Sequence, residues 1–335
     1  MGEKNLGENI GSDKKPIKRY YLWGVERWYP NRGLNEEQQQ RLIDKKNRLD
    51  ALRPFPSAAL NRLRQDMAVE WTYNSNSIEG NTLSLRETRV VLQDGLTIGG
   101  KTLREHFEAI NHNKAIAWLE ERVVPGYAVS EADILVLHKM VMSSIDDEFG
   151  GRFRTGRVQI TGANFIPPNP LKVPDLLTEL LSWVCHNPQN LDPVSLSAVF
   201  HHRFVWVHPF FDGNGRTGRL AMNMILISLG YPPIIILRTD RNKYYRALNE
   251  ANQGQFEKLM LLFFQGAERS LELYLSALGK GYDDYLPLNL VANDPAVPYG
   301  QEYLSLLARR GELEAFKEGR VWYSNTKAVK RYMNR

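Results

Sequence analysis

The chain has 335 residues, 43% apolar and 24% charged, which is ordinary globular composition and excludes wholesale disorder or a fibrous architecture. The net charge is only +5, and no apolar run reaches the roughly 18 residues that a bilayer span needs; the longest, near Leu220 to Leu237, is broken by Asn223, Ser228, Gly230 and a proline pair. The single cysteine, Cys185, excludes an internal disulfide and any cysteine metal cluster, so a reducing compartment, by default the cytoplasm, is expected.

Residues 1–18 are rich in Gly, Lys, Glu and Asn and lack the apolar stretch of a signal peptide, which predicts a disordered leader. Helical periodicity then dominates, predicting helices over 36–52, 57–79, 84–94, 102–122, 130–145, 174–187, 193–206, 215–229, 241–252 and 255–278. Start signals support them: Ser84-Leu-Arg-Glu87 reads as a capping box, Asp192-Pro193 as an N-cap with proline at the first helical position, and Pro174 opens another helix. Within this region Arg157-Val-Gln-Ile-Thr161 alternates apolar and polar residues, and turn residues follow from Gly162 to Pro168, predicting a short surface β-hairpin flap. Gly279, Gly281 and Pro287 mark a linker over 279–299. Beyond it, residues 300–335 read as a helix, a hairpin from Ala315 to Tyr323 turning at Glu318-Gly319, and a helix from Thr326. This tail is basic, with eight Lys/Arg against four Asp/Glu.

The chemistry concentrates in His208-Pro-Phe-Phe-Asp-Gly-Asn-Gly-Arg-Thr-Gly-Arg219, placed between two apolar helices. A helix start offers unpaired N–H groups, and Gly213 and Gly215 allow close approach to the backbone, so the segment suits an anion. Arg216 and Arg219, three apart, can grip the terminal phosphates of a triphosphate. Asp212 offers the carboxylate that Mg²⁺ prefers beside phosphate oxygens, and His208 titrates near neutrality, as a general base for a hydroxyl should. A Walker A loop is excluded because the Gly-Lys-Ser/Thr ending is missing, and a Gly-x-Ser-x-Gly hydrolase elbow is absent. His106 and His112 are off the spacing of a helical zinc pair, and His201 and His202 point to different sides of a helix, so all four are expected to be structural or solvent-facing.

His208 to Arg216 matches without a gap the motif His-Pro-Phe-x-[Asp/Glu]-Gly-Asn-[Gly/Lys]-Arg, and by it the chain resembles the Fic proteins. The resemblance extends from about Trp23 to Leu278. It implies a mainly α fold: a Fic-type helical bundle with a small β-hairpin flap, divided into an N-terminal helical region (19–100) and a catalytic core (101–278). To this is added a small winged-helix-like α/β module at 300–335. The implied activity is transfer of AMP from ATP to a Ser, Thr or Tyr hydroxyl of a target protein. On that reading His208 is the base, Asp212 binds Mg²⁺, Asn214 and its neighbouring amides hold phosphates, and Phe210 anchors the loop. Gly215 stands where a kinase-like subgroup carries Lys, which favours nucleotidyl transfer. Val158, Gln159, Ile160, Thr161 and Gly162 would position the target by strand addition, and Asn252 would contact the adenine. Related proteins often form dimers, so a homodimer is the implied assembly.

Ser75-Asn-Ser-Ile-Glu79-Gly80 ends a long helix, which places the Glu79 carboxylate where the helix dipole is already negative; a cation is needed nearby, and Arg219 is the candidate. The segment resembles the Fic inhibitory motif [Ser/Thr]-x-x-x-Glu-[Gly/Asn] in its N-terminal position. By that resemblance Glu79 pairs with Arg219, denies the γ-phosphate its partner, and can also serve as a base in removing AMP. The tail opens a second function class, a DNA-binding regulator whose Fic core senses ATP, in which Tyr303 to Arg310 would be a recognition-type helix and Lys317, Arg320 and Lys327 would face phosphates.

Overall fold

The computed structural model describes residues 19–22, 25–160, 165–279, 281 and 284–335, so the expected leader lies outside the described residues. The elements in chain order are β1 (Arg19–Leu22), β2 (Val25–Trp28), α1 (Glu36–Asp50), α2 (Ser57–Ile78), α3 (Leu85–Arg89, continued by a π turn over Val90–Asp94), α4 (Leu103–Arg122), α5 (Glu131–Met142), α6 (Val173–His186), α7 (Pro193–Val207), α8 (Asn214–Ser228), α9 (Arg241–Ala251) and α10 (Glu257–Ala277). The C-terminal part adds β3 (Leu286–Pro287), α11 (Leu288–Val291), α12 (Gln301–Arg310), β4 (Phe316–Glu318), β5 (Val321–Ser324) and α13 (Thr326–Met333). The fold is mainly α, as expected.

Local chemistry sets the helix starts. Asn35, Ser84, Thr102 and Ser130 each accept a hydrogen bond from the amide three residues on, and Gln38, Glu87, Glu105 and Asp133 return one to the cap's own N–H, closing four capping boxes. Asp192 caps α7 through the amides of Val194 and Ser195, with Pro193 at the first helical position. Helix α7 is apolar nearly all round and therefore central: Val194, Leu196, Val199, Phe200, Phe204 and Val207 are buried, with α6, α8 and α10 packed about it. No helix among the described residues is long and apolar enough to cross a membrane.

The expected flap hairpin is corrected in part. Residues 157–160 run as coil with no strand pairing, and so do 165–168, while Thr161 and Gly162 lie outside the described residues. Pro167, Pro168 and Pro170 cannot donate to a ladder. The loop is instead held at both ends by the Arg154 guanidinium, which donates to the carbonyls of Gly156 and Pro168. A strand pair does form where none was expected: β1 runs antiparallel to β2, with Arg19 opposite Trp28 and Leu22 opposite Val25.

The C-terminal sheet has the order β3-β5-β4, all antiparallel. Its first strand and α11 fall in the segment expected as linker, and Leu288, Val291 and Val297 join Leu304, Leu307, Leu313 and Val329 in one small core. The β4–β5 turn falls at Gly319, φ 56°, which glycine adopts without the penalty a Cβ brings. The basic residues of this module are largely spent on the chain's own carboxylates: Lys317 on Asp240 at 2.8 Å, Lys327 on Asp284 at 3.1 Å, and Arg331 on Glu314. Such pairing disfavours the DNA-binding reading, although Arg320 is exposed.

Candidate active site

Helix α7 ends where Pro209 cannot continue it, and His208, its C-cap, takes the left-handed conformation at φ 51°. The chain re-enters a helix at Gly213, φ +73°, where a Cβ would lie 2.9 Å from Met142 Sδ, so glycine is required on both counts. Asn214 clamps the loop between them. Its Oδ1 accepts from Phe210 N at 2.9 Å and its Nδ2 donates to Phe210 O at 2.8 Å. Phe210 is fully buried and lies face to face with His138 of α5, centroids 3.6 Å apart. His138 accepts from Gly151 N through Nδ1 and therefore donates to Asp212 O through Nε2 at 3.0 Å. Burial holds this imidazole neutral, its pKa lowered to about 4.

The His208 ring lies at the pocket. Its Nδ1 is 3.2 Å from Val205 O, and a carbonyl only accepts, so the proton is on Nδ1 and the lone pair on Nε2. Burial, helped by the Arg154 charge, lowers its pKa to about 4 against the opposing carbonyl of Val205 and the carboxylates of Glu79 and Asp212; the ring is neutral at physiological pH.

A pocket of about 440 Å³ opens beside it, lined by Glu79, Arg104, Glu108, His208, Phe211, Asp212 and the start of α8 from Gly213 to Arg216. Among the described residues no side chain caps α8, so the amides of its first turn, which lines this space, are left open to a ligand. Asp212 is bonded by Gly213 N at 2.6 Å and by Arg104 Nη2 at 2.5 Å. Burial would raise its pKa, but the charge of Arg216, the Gly213 amide and Arg104 together lower it. Arg216, only 3% exposed, is 3.3 Å from Glu108 and 3.7 Å from Asp212, and its Nε and Nη1 have no hydrogen-bond acceptor among the described residues.

Arg219 does not share that space. It lies 2% exposed beneath the loop, donating from Nε to Ser75 Oγ at 3.0 Å and from Nη2 to Ser75 O at 2.7 Å. Glu79 is the C-cap of α2, and its Oε1 is 2.7 Å from Arg219 Nη1. Among the described residues Nη1 nevertheless has no aligned acceptor, so the contact is a charge pair rather than a directed hydrogen bond. Burial works against the Arg219 charge, and the Glu79 carboxylate, with Tyr244 and Tyr245 beside it, more than restores it. The end of α2 is fixed by Arg241, which donates to Ile78 O at 2.8 Å, and by Asn74, which accepts from Arg238 N at 2.7 Å.

Asn252 is not brought to the pocket. It caps α9 and accepts from the buried His202 Nε2 at 2.9 Å. Val158, Gln159 and Ile160 run along the loop beyond Arg154 and do not line the pocket either. His106, His112, His201 and His202 are all buried. His138, Arg154, Arg104 and Glu108 take part in the site without having been singled out in the sequence; they are remote from the motif, and a single His, Arg or Glu on a helix, or an Arg in a loop, carries no local signal.

The Fic/DOC family model matches residues 128–226. The protein adenylyltransferase Fic of Drosophila yakuba is 36% identical over 245 residues, 73% of this chain and 49% of its own length, and that of Drosophila virilis is equally similar. The chain thus spans about half the length of these curated relatives. Among solved structures, Fic-1 (residues 134–508) of C. elegans superposes with a TM-score of 0.64 at 33% identity, covering 72% of this chain and 71% of that one. A Fic-domain signaling protein of Bacteroides thetaiotaomicron gives 0.64 at 26%, covering 73% and 98%.

Proposed function

This chain belongs to the Fic family, and from that premise we propose that it transfers AMP from ATP to a Ser, Thr or Tyr hydroxyl of a protein, with Glu79 holding the site in check. The observation that carries the reading is a neutral imidazole, with its lone pair on Nε2, beside a polar pocket into which an uncapped helix start and an under-bonded Arg216 project. Phosphate oxygens supply what those amides and that guanidinium lack. The acceptor oxygen attacks the α-phosphorus, its proton passes to His208 Nε2, and the bond to the pyrophosphate oxygen breaks, so the products are an AMP ester and pyrophosphate. Asn214 contributes its main-chain N–H, since its side chain is committed to Phe210.

Mg²⁺ suits Asp212, whose carboxylate is 48% exposed at the pocket and held by a still more exposed Arg104 that it can exchange for a harder cation. Bound there, magnesium would offset the charge of the phosphates.

Glu79 competes with the nucleotide for Arg219: while the carboxylate stands 2.7 Å from Nη1, a γ-phosphate is repelled from the same guanidinium. Incubating Glu79→Gly with labelled ATP and Mg²⁺ should raise self-modification by orders of magnitude over the parent, and Glu79→Gly/His208→Ala should abolish it. Equal labelling of parent and Glu79→Gly overturns the brake; persistent labelling without His208 overturns the base.

A further inference from the structure

Arg154 is buried, 2% exposed, yet no carboxylate lies within ion-pair distance of it among the described residues. Its guanidinium is spent on main-chain carbonyls instead: Nε donates to His208 O at 2.7 Å, Nη1 to Gly156 O at 3.0 Å, and Nη2 to Pro168 O at 2.6 Å and to Val207 O at 3.4 Å. Its own amide donates to Pro209 O at 2.9 Å. Two of these acceptors, Val207 and His208, are the last carbonyls of α7, which no helical N–H reaches, and they form the negative end of that helix's dipole. The helix end thus stands in for the missing carboxylate. The other two acceptors, Gly156 and Pro168, lie twelve residues apart in the chain. One planar fork therefore ties three separate stretches of chain together: the end of α7, the loop's entry and the loop's exit.

We infer that Arg154 is a positioning residue, which ties the main chain at Gly156 and at Pro168 to that of His208 and so holds the imidazole in a set place for the transfer. The inference rests on the proposed transfer reaction with His208 as base. An ammonium cannot replace the guanidinium, because Lys offers one donor centre where four carbonyls in three directions must be met. Neutral, shorter Gln cannot reach them either. The phosphate-binding groups, by contrast, lie at the start of α8, from Gly213 to Arg216, to which Arg154 makes none of these hydrogen bonds.

The test compares Arg154→Lys and Arg154→Gln in the Glu79→Gly background, with ATP and Mg²⁺ as the probe and self-modification as the reaction. Both variants are expected to bind ATP in calorimetry as the parent does, while the rate at saturating ATP falls by roughly 10²-fold, as a small misplacement of reacting groups does. Hydrogen exchange should quicken at residues 156–160 and stay unchanged along α8. A loss of ATP affinity in step with the rate would show a general structural role and overturn the inference; so would a parental rate with unaltered exchange, or full rescue by Lys. If the Glu79→Gly parent itself transfers no AMP, the reaction assigned above fails. The exchange and ATP-binding measurements still decide what Arg154 holds: selective loosening of 156–160 supports the tie, and unaltered exchange overturns it.

Discussion

A Cβ on residue 215 would lie 2.1 Å from Glu79 Oε1 and 3.1 Å from Arg219 Nη1, far inside van der Waals contact. The glycine there is not required by its own backbone, which is helical; it is required by the carboxylate packed against it. The Glu79–Arg219 pair and the bare face of Gly215 are thus two halves of one contact, and a single methyl is enough to separate them. Gly215→Ala should therefore raise self-modification in a chain that keeps Glu79, though less than Glu79→Gly, because the carboxylate is displaced and not removed. Labelled-ATP incorporation measures it. Labelling at the parental level, with ATP affinity retained, would mean that the carboxylate adjusts around the methyl and the steric account is wrong.

At the scale of elements, the turn from α7 to α8 depends on Asn214 using its amide at both ends on one residue. Asn214→Ala leaves the buried N–H and C=O of Phe210 unpaired, at a cost of about 2–4 kcal/mol, and loosens the loop that carries Asp212 and Gly213. Urea unfolding should show the lost stability, and calorimetry a weaker ATP site; a change below about 0.5 kcal/mol would fall in the range of ordinary surface substitutions and refute the clamp. The helices that frame this turn were legible in the sequence because each carries a 3.6-residue apolar period, and α7 also a chemical start signal at Asp192-Pro193, so α7 and α8 begin within a residue of the expected 193 and 215. Ser75, Glu79 and Arg219 were legible as a group because a carboxylate at a helix end calls for a cation. The loop at 157–160 was misread because alternation states a preference for extended chain but not whether a partner strand exists. Arg154 and His138 were invisible for a related reason: they bond to main-chain atoms, most of them distant in sequence, and a main-chain partner leaves no residue-type signal.

The molecule as a whole is joined by a charged seam between α1, α10 and the C-terminal module. Arg41 grips Glu268 and the carbonyls of Gly311 and Leu313, while Lys45, 4% exposed, lies 2.9 Å from Glu272 and 3.0 Å from Glu314. Burial pulls the Lys45 pKa down, but Glu314, Glu268 and Glu272 raise it beyond its usual value. Burial likewise opposes ionisation of Glu314, and Lys45 and Arg331 overcome it, lowering its pKa to about 2. Because that folded-state value lies below the ordinary 4.5, the carboxylate stabilises the fold fully above pH 4.5 and progressively less as pH falls towards 2. Lys45→Met takes the ammonium away and leaves two buried carboxylates facing each other across its place. The expected cost is about 3–5 kcal/mol at pH 7, since breaking a buried pair costs more than never having built it. Replacing Glu272 by Leu in the same chain should return part of that loss. Urea unfolding followed from pH 7 downwards should show the gap between Lys45→Met and its parent narrowing below pH 4.5, as protonation removes the charge that Lys45 was balancing. A gap that stays constant across that range would mean that Lys45 acts there through packing of its methylene stem, and that the seam is held by shape and not by charge.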